Sequence, residues 1–139
     1  RFFVNFLKKC VSTNGAKKFI QVLVILIIEG EGFFLALTVN LYGGIITGGT
    51  ATTSGGNICM DKGTLNLKGT ILENGTCTDG VGGNLYTCVT TNMTSGQIYG
   101  GSASGYGDNV QLQGAAFTMT GGSIGEAEQT ATEPGHNLN

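Results

Sequence analysis

The segment Gly82-Gly83-Asn84-Leu85-Tyr86 decides the fold, because it recurs along the chain at nearly constant spacing. Its other copies are Gly55-Gly56-Asn57-Ile58-Cys59, Gly107-Asp108-Asn109-Val110-Gln111 and the start of a fourth, Gly135-His136-Asn137-Leu138. The asparagines are 27, 25 and 28 residues apart (57 to 84, 84 to 109, 109 to 137). A repeat of this period is the signature of a protein built from stacked, nearly identical units.

A second motif follows each of the first three copies and ends in isoleucine 14, 14 or 15 residues after the asparagine. It occurs as residues 65–71, 92–98 and 117–124. An earlier copy at 39–46 is not preceded by a corner asparagine equivalent to Asn57. Each unit therefore holds three short apolar pieces between glycine-rich corners, which predicts a triangular coil. Stacking predicts two core columns, which are Ile46, Ile71, Ile98 and Ile124, and Leu41, Leu67, Met93 and Met119.

The asparagine column Asn57, Asn84, Asn109 and Asn137 has its own structural interpretation. Asparagine tolerates left-handed backbone, and stacked side-chain amides can hydrogen-bond from one coil to the next. The alternative is that asparagine is simply a common turn residue. Recurrence at one corner favours a ladder of amides.

Composition supports an all-β solenoid and excludes several kinds of site. The chain has 139 residues with 25 glycines, one proline and 12% charged residues, so bends come from glycine and few helices are expected. A formal net charge of −2 gives no basic surface for nucleic acid. One histidine, His136, and four cysteines without CxxC spacing argue against a zinc site, so no cofactor is expected. The cysteines, predicted to be isolated thiols or to form one disulfide, are Cys10, Cys59, Cys77 and Cys88.

Through these repeats, residues 37–139 resemble the passenger regions of bacterial surface proteins, the adhesin-like and polymorphic-membrane-protein-like families with Gly-Gly-x-Ile motifs. The resemblance implies a right-handed, three-sided parallel β-helix with coils of about 25–28 residues. It also implies an extracellular or cell-surface location. Ligands vary within these families, so the resemblance specifies the fold more than the function.

Residues 1–36 form a separate unit, predicted to be an N-terminal cap with the first apolar strands. Apolar residues from Phe2 to Val11 fall at helical spacing, which predicts a short amphipathic helix over the end of the solenoid. The apolar run Phe19–Ile28 is rich in β-branched residues and predicts a buried strand. A signal peptide or membrane segment is the alternative, although the run is too short for a membrane span.

The predicted function is structural: a surface stalk, adhesin segment or filament subunit. Because the last repeat is truncated, its strand edges are expected to accept the rest of a longer repeat protein or to stack end to end with a second copy. Catalysis is not expected, because the acidic residues lie in different columns and the sole arginine is Arg1. The alternative is a protein that binds carbohydrate or degrades polysaccharide, with glycans contacting Tyr86, Tyr99 and Tyr106.

Overall fold

A computed structural model of the protein describes the backbone of residues 2–13, 16–29 and 32–125, and the side chains of residues 38–125. Within these ranges every regular element is a strand. The strands form three sheets, one on each side of a β-solenoid of about three turns. The all-β, three-sided solenoid predicted from the repeats is therefore confirmed.

Each coil contributes to all three sheets in turn. The first sheet contains β1 (Phe2–Thr13), β2 (Ala16–Glu29), β3 (Gly32–Tyr42), β4 (Ile45–Thr47), β7 (Thr64–Glu73), β10 (Thr90–Tyr99), β13 (Phe117–Met119) and β14 (Ser123–Ile124). The second contains β5 (Thr50–Ala51), β8 (Thr76–Cys77) and β11 (Ser102–Ala103). The third contains β6 (Ile58–Met60), β9 (Leu85–Thr87) and β12 (Val110–Leu112).

Strands of successive coils pair in parallel, so equivalent residues lie side by side along the solenoid axis. In the first sheet β7 lies between β3 and β10, and β10 is followed by β13. The glycine pairs Gly43-Gly44 and Gly121-Gly122 separate β3 from β4 and β13 from β14. In the two middle coils β7 and β10 are continuous at the equivalent position, and the register between them is irregular near Ser95.

The N-terminal segment differs from the amphipathic helix predicted for it. Residues 2–13 form β1, which pairs antiparallel with β2, and β2 pairs antiparallel with β3. Phenylalanine and β-branched residues favour strands, and β2 has backbone partners on both sides because it lies between β1 and β3. The strand predicted within Phe19–Ile28 is present as part of β2. The predicted boundary between residues 36 and 37 falls inside β3, which joins this hairpin to the parallel coils.

Alternate residues of the strands point inward and form one apolar core. Leu41, Leu67 and Met93 form one buried column, and Met119 continues it by register but is 43% exposed, so it is not part of the core, contrary to the prediction. The isoleucine column requires a correction, because Ile46, Ile98 and Ile124 align with Leu72 instead of Ile71. Ile71 pairs with Ile45 and Gln97 on the outer side, while Leu72 is fully buried.

This correction makes a direct prediction for two adjacent residues of β7. Leu72→Ala should lower the free energy of unfolding by about 2 to 5 kcal/mol, because it opens a cavity between buried neighbours. Ile71→Ala removes a similar volume from a position that is only half-buried, and should cost less than about 1.5 kcal/mol. Urea unfolding followed by circular dichroism measures both. Equal losses, or a larger loss for Ile71→Ala, would mean that Ile71 belongs to the core column, as the sequence predicted.

Candidate functional site

The most ordered polar arrangement in the described side chains is a column of asparagine amides at the corner before the third sheet. We call Asn57, Asn84 and Asn109 the corner ladder. Asn57 Nδ2 donates to Asn84 Oδ1 at 2.7 Å, and Asn84 Nδ2 donates to Asn109 Oδ1 at 2.8 Å. The fourth asparagine of the predicted column, Asn137, lies outside the described residues.

Asn84, in the middle of the corner ladder, is completely buried and uses its full hydrogen-bonding capacity. Its Oδ1 accepts from Gly75 N at 2.9 Å as well as from Asn57, and its Nδ2 donates to Tyr99 O at 2.8 Å as well as to Asn109. The amide therefore joins the end of one first-sheet strand, the start of a second-sheet strand and both neighbouring coils. Burial of an amide without these partners would cost several kcal/mol.

A glycine column makes room for the corner ladder. Gly49, Gly75 and Gly101 donate their N–H groups to Asn57, Asn84 and Asn109. A Cβ added at Gly75 would lie 2.8 Å from Asn84 Oδ1 and 2.9 Å from Asn57 Nδ2. Any larger residue would push the amides apart. The sequence signal for this column is the spacing of 26 residues (49 to 75, 75 to 101).

A second amide column lies on the outer side of the first sheet and was not singled out from the sequence. Asn66 Nδ2 donates to Asn40 Oδ1 at 2.9 Å, and Asn92 Nδ2 donates to Asn66 Oδ1 at the same distance. We call these three residues the outer asparagine column. All are half-buried, and the spacing of 26 residues (40 to 66, 66 to 92) could have revealed them.

The middle coil also contains a buried hydroxyl pair where the third sheet leads into the first. Thr87 Oγ1 lies 3.0 Å from Thr91 Oγ1, and both side chains are completely buried. Val89 satisfies them through its backbone, because its N–H donates to Thr87 Oγ1 and its carbonyl accepts from Thr91 Oγ1. This corner is one residue shorter than its counterparts: 87 to 91 spans four residues, whereas 60 to 65 and 112 to 117 span five.

Two cysteine thiols and a tyrosine hydroxyl lie together on the outer side of the third sheet. Cys59 pairs with Tyr86 by register, and Cys88 Sγ donates to Tyr86 Oη at 3.4 Å. Burial, and then the charges of Asp61 and Cys88, raise the pKa of the Cys59 thiol above its ordinary value. The hydrogen bond with Cys88 is the largest of the causes that raise the pKa of Tyr86 to about 12. The raised pKa values favour the neutral, weakly nucleophilic forms of Cys59 and Tyr86.

The tyrosines named as sugar contacts do not share a face. Tyr86 lies on the third sheet, Tyr99 ends a first-sheet strand with its hydroxyl bonded to Glu73, and Tyr106 lies in the corner between β11 and β12 with 65% of its surface exposed. Among the described residues, no three His, Cys, Asp or Glu side chains are grouped so that they could hold a metal ion.

No protein-family model, curated protein or solved structure matches the chain. Within the described residues there is no helix with the length and apolarity needed to span a membrane.

The two asparagine columns allow one chemical change to be tested in two environments. Asn84→Ala should lower the free energy of unfolding by at least about 3 kcal/mol, because it leaves several buried donors and acceptors unpaired. Asn92→Ala removes an amide from a half-buried column where water can replace it, and should cost about 1 kcal/mol. Chemical denaturation of both variants measures the difference. Equal values would mean that the corner ladder contributes no more than an outer hydrogen bond.

The raised pKa of the Cys59 thiol gives a prediction about its rate of alkylation at a fixed pH. At about pH 8 a raised pKa leaves Cys59 with less thiolate than an ordinary exposed cysteine, so iodoacetamide should react slowly. Asp61→Asn removes a negative charge that raises the pKa of Cys59, and should therefore speed alkylation of Cys59 at the same pH. Cys77, which is buried, serves as the internal control and should react only after denaturation. Peptide mass spectrometry distinguishes the sites, and an unchanged Cys59 rate in Asp61→Asn would contradict the electrostatic assignment.

Proposed function

We propose that the chain is a rigid structural module of an extracellular or cell-surface protein, comparable to the solenoid segments of adhesins. The observation that carries this proposal is the corner ladder, in which buried amides bond coil to coil along the axis. Such a ladder holds successive coils together along the solenoid axis. Apolar packing alone does not specify the alignment of the coils as strictly.

The parallel sheets add to this cohesion. The three coils that contain β5, β8 and β11 pair with one another on all three sides, and corner residues continue the pattern through bonds such as Leu85 N to Asn109 O at 2.9 Å. The outer asparagine column adds side-chain bonds on the first sheet. Local opening of one coil would break contacts to two others, which favours a stiff module that resists proteolysis.

The outer surface also supports a role outside the cell. Among the described side chains, the outward positions of β10 include Thr90, Asn92 and Thr94. On the same side Lys68 is exposed and lies over the ring of Tyr42 at 5.1 Å, and Glu73 is a second charged residue. These outward hydroxyl and amide groups are compatible with a structural role. The resemblance of the repeats to bacterial surface β-helices supports the same location.

Surface labelling of intact source cells tests the proposal. A biotin reagent that cannot cross membranes should modify the exposed Lys62, and the labelled peptide should be found by mass spectrometry without lysis. An abundant cytoplasmic protein of the same cells is the control and should stay unlabelled. Recovery of the chain only from the soluble interior, with Lys62 labelled only after lysis, would contradict the proposed location and function.

A further inference from the structure

The turn between β7 and β8 contains an asparagine followed by a glycine, Asn74-Gly75. In a flexible chain this pair is prone to deamidation, because glycine lets the following backbone nitrogen reach the side-chain carbonyl carbon of asparagine. Asn74 is exposed, and among the described residues it is the only one besides glycine with a positive φ, 53°. Its sequence and exposure alone indicate a reactive position.

The corner ladder engages the nitrogen that would attack. Gly75 N donates to Asn84 Oδ1 at 2.9 Å, and this hydrogen bond is buried. An amide nitrogen must lose its proton to act as a nucleophile, and here an acceptor holds that proton away from water. Asn84 is itself fixed, because its side chain bonds to Asn57 and Asn109 along the ladder. Attack on Asn74 therefore requires the bond between Gly75 and Asn84 to open first.

Backbone hydrogen bonds on either side of Gly75 oppose the same reaction. Asn74 N donates to Tyr99 O of the following coil at 3.2 Å. Thr76 N donates to Gly49 O of the preceding coil at 2.8 Å. Ring closure needs the backbone to rotate until the Asn74 side chain meets the next nitrogen. These bonds to both neighbouring coils resist that rotation, so the turn must open locally before it can react.

We propose that Asn74 is a deamidation site that the corner ladder keeps unreactive, and that it is modified when Asn84 releases Gly75 N. In this reaction Gly75 N forms a bond to Cγ of Asn74, and the side-chain NH₂ leaves with the displaced proton as ammonia. Water then opens the resulting succinimide at either carbonyl and gives aspartate or isoaspartate. Water is the only co-reactant. The inference does not depend on the proposed location.

The isoaspartate product would prevent the corner from closing again. Its main chain runs through Cβ and Cγ of residue 74, which places an extra backbone atom before Gly75. The corner has no space for it, because a Cβ added at Gly75 would lie 2.4 Å from Gly83 O and 2.8 Å from Asn84 Oδ1. A reversible opening of the ladder is thereby converted into a permanent chemical change.

Peptide mass spectrometry of the full chain, incubated at mildly alkaline pH, tests the protection. The readout is replacement of the Asn74 side-chain NH₂ by a hydroxyl. Unfolding in guanidinium chloride should speed this change at least about tenfold, because it frees Gly75 N. Asn14-Gly15, the other such pair of the sequence, reports the reactivity of an unprotected pair in the same unfolded sample. An Asn74 rate as high in the native chain as in the unfolded chain would overturn the proposal.

Two variants separate the ladder from general stability. Asn84→Ala removes the acceptor of Gly75 N, and Asn74 should deamidate at least about tenfold faster than in the wild type while circular dichroism still shows the β spectrum. Leu65→Ala is the matched control, because it opens a cavity at a fully buried position at the other end of β7. Its Asn74 should react at the wild-type rate. Equal rates in the two variants would refute the role of the ladder.

Hydrogen exchange of the wild type gives a test that remains valid if Asn84→Ala does not fold. The Gly75 amide proton should exchange through the same opening that permits deamidation of Asn74. Low concentrations of guanidinium chloride should therefore raise both rates by the same factor. A constant deamidation rate while exchange of the Gly75 amide accelerates would contradict the proposal.

Discussion

The described part of the fold depends on the requirement that the buried amide of Asn84 keep all of its hydrogen bonds at the corner before the third sheet. Asn84 meets this requirement with two donated and two accepted bonds, which reach a first-sheet strand, a second-sheet strand and both adjacent coils. The amide can be satisfied only if the coils stack in one register. The corner ladder therefore specifies alignment, while the apolar columns supply most of the driving force.

Other features of the coil follow from this requirement. Gly49, Gly75 and Gly101 are needed because a Cβ at any of them would meet a ladder amide. A second glycine column, Gly55, Gly82 and Gly107, has positive φ of 62°, 71° and 66°, and turns the chain toward the ladder asparagine. Coil length can vary elsewhere, as the shorter corner from Thr87 to Thr91 shows, because its buried hydroxyls bond to Val89.

The repeat spacing predicted the solenoid and the Leu41, Leu67, Met93 and Met119 column, because strict periodicity determines which residues stack. It misplaced Ile71, since distances were counted from the asparagine corner across a turn whose length varies by one residue, and such a slip exchanges the inner and outer faces. Counting by 26 within the first sheet aligns Leu72 correctly and also reveals the outer asparagine column. The N-terminal prediction of a helix differed from β1 because aromatic residues at helical spacing are compatible with strand pairing.

The most direct test of the central claim is hydrogen exchange of the Asn84 side-chain amide, followed by NMR alongside the backbone amide of Leu85. If the corner ladder holds the coils in register, the Nδ2 protons of Asn84 should exchange only through global unfolding. Their protection would then match the free energy of unfolding measured with denaturant. Rapid exchange of these protons while the Leu85 amide remains protected would show that the coils stay stacked without the ladder, and would contradict the account.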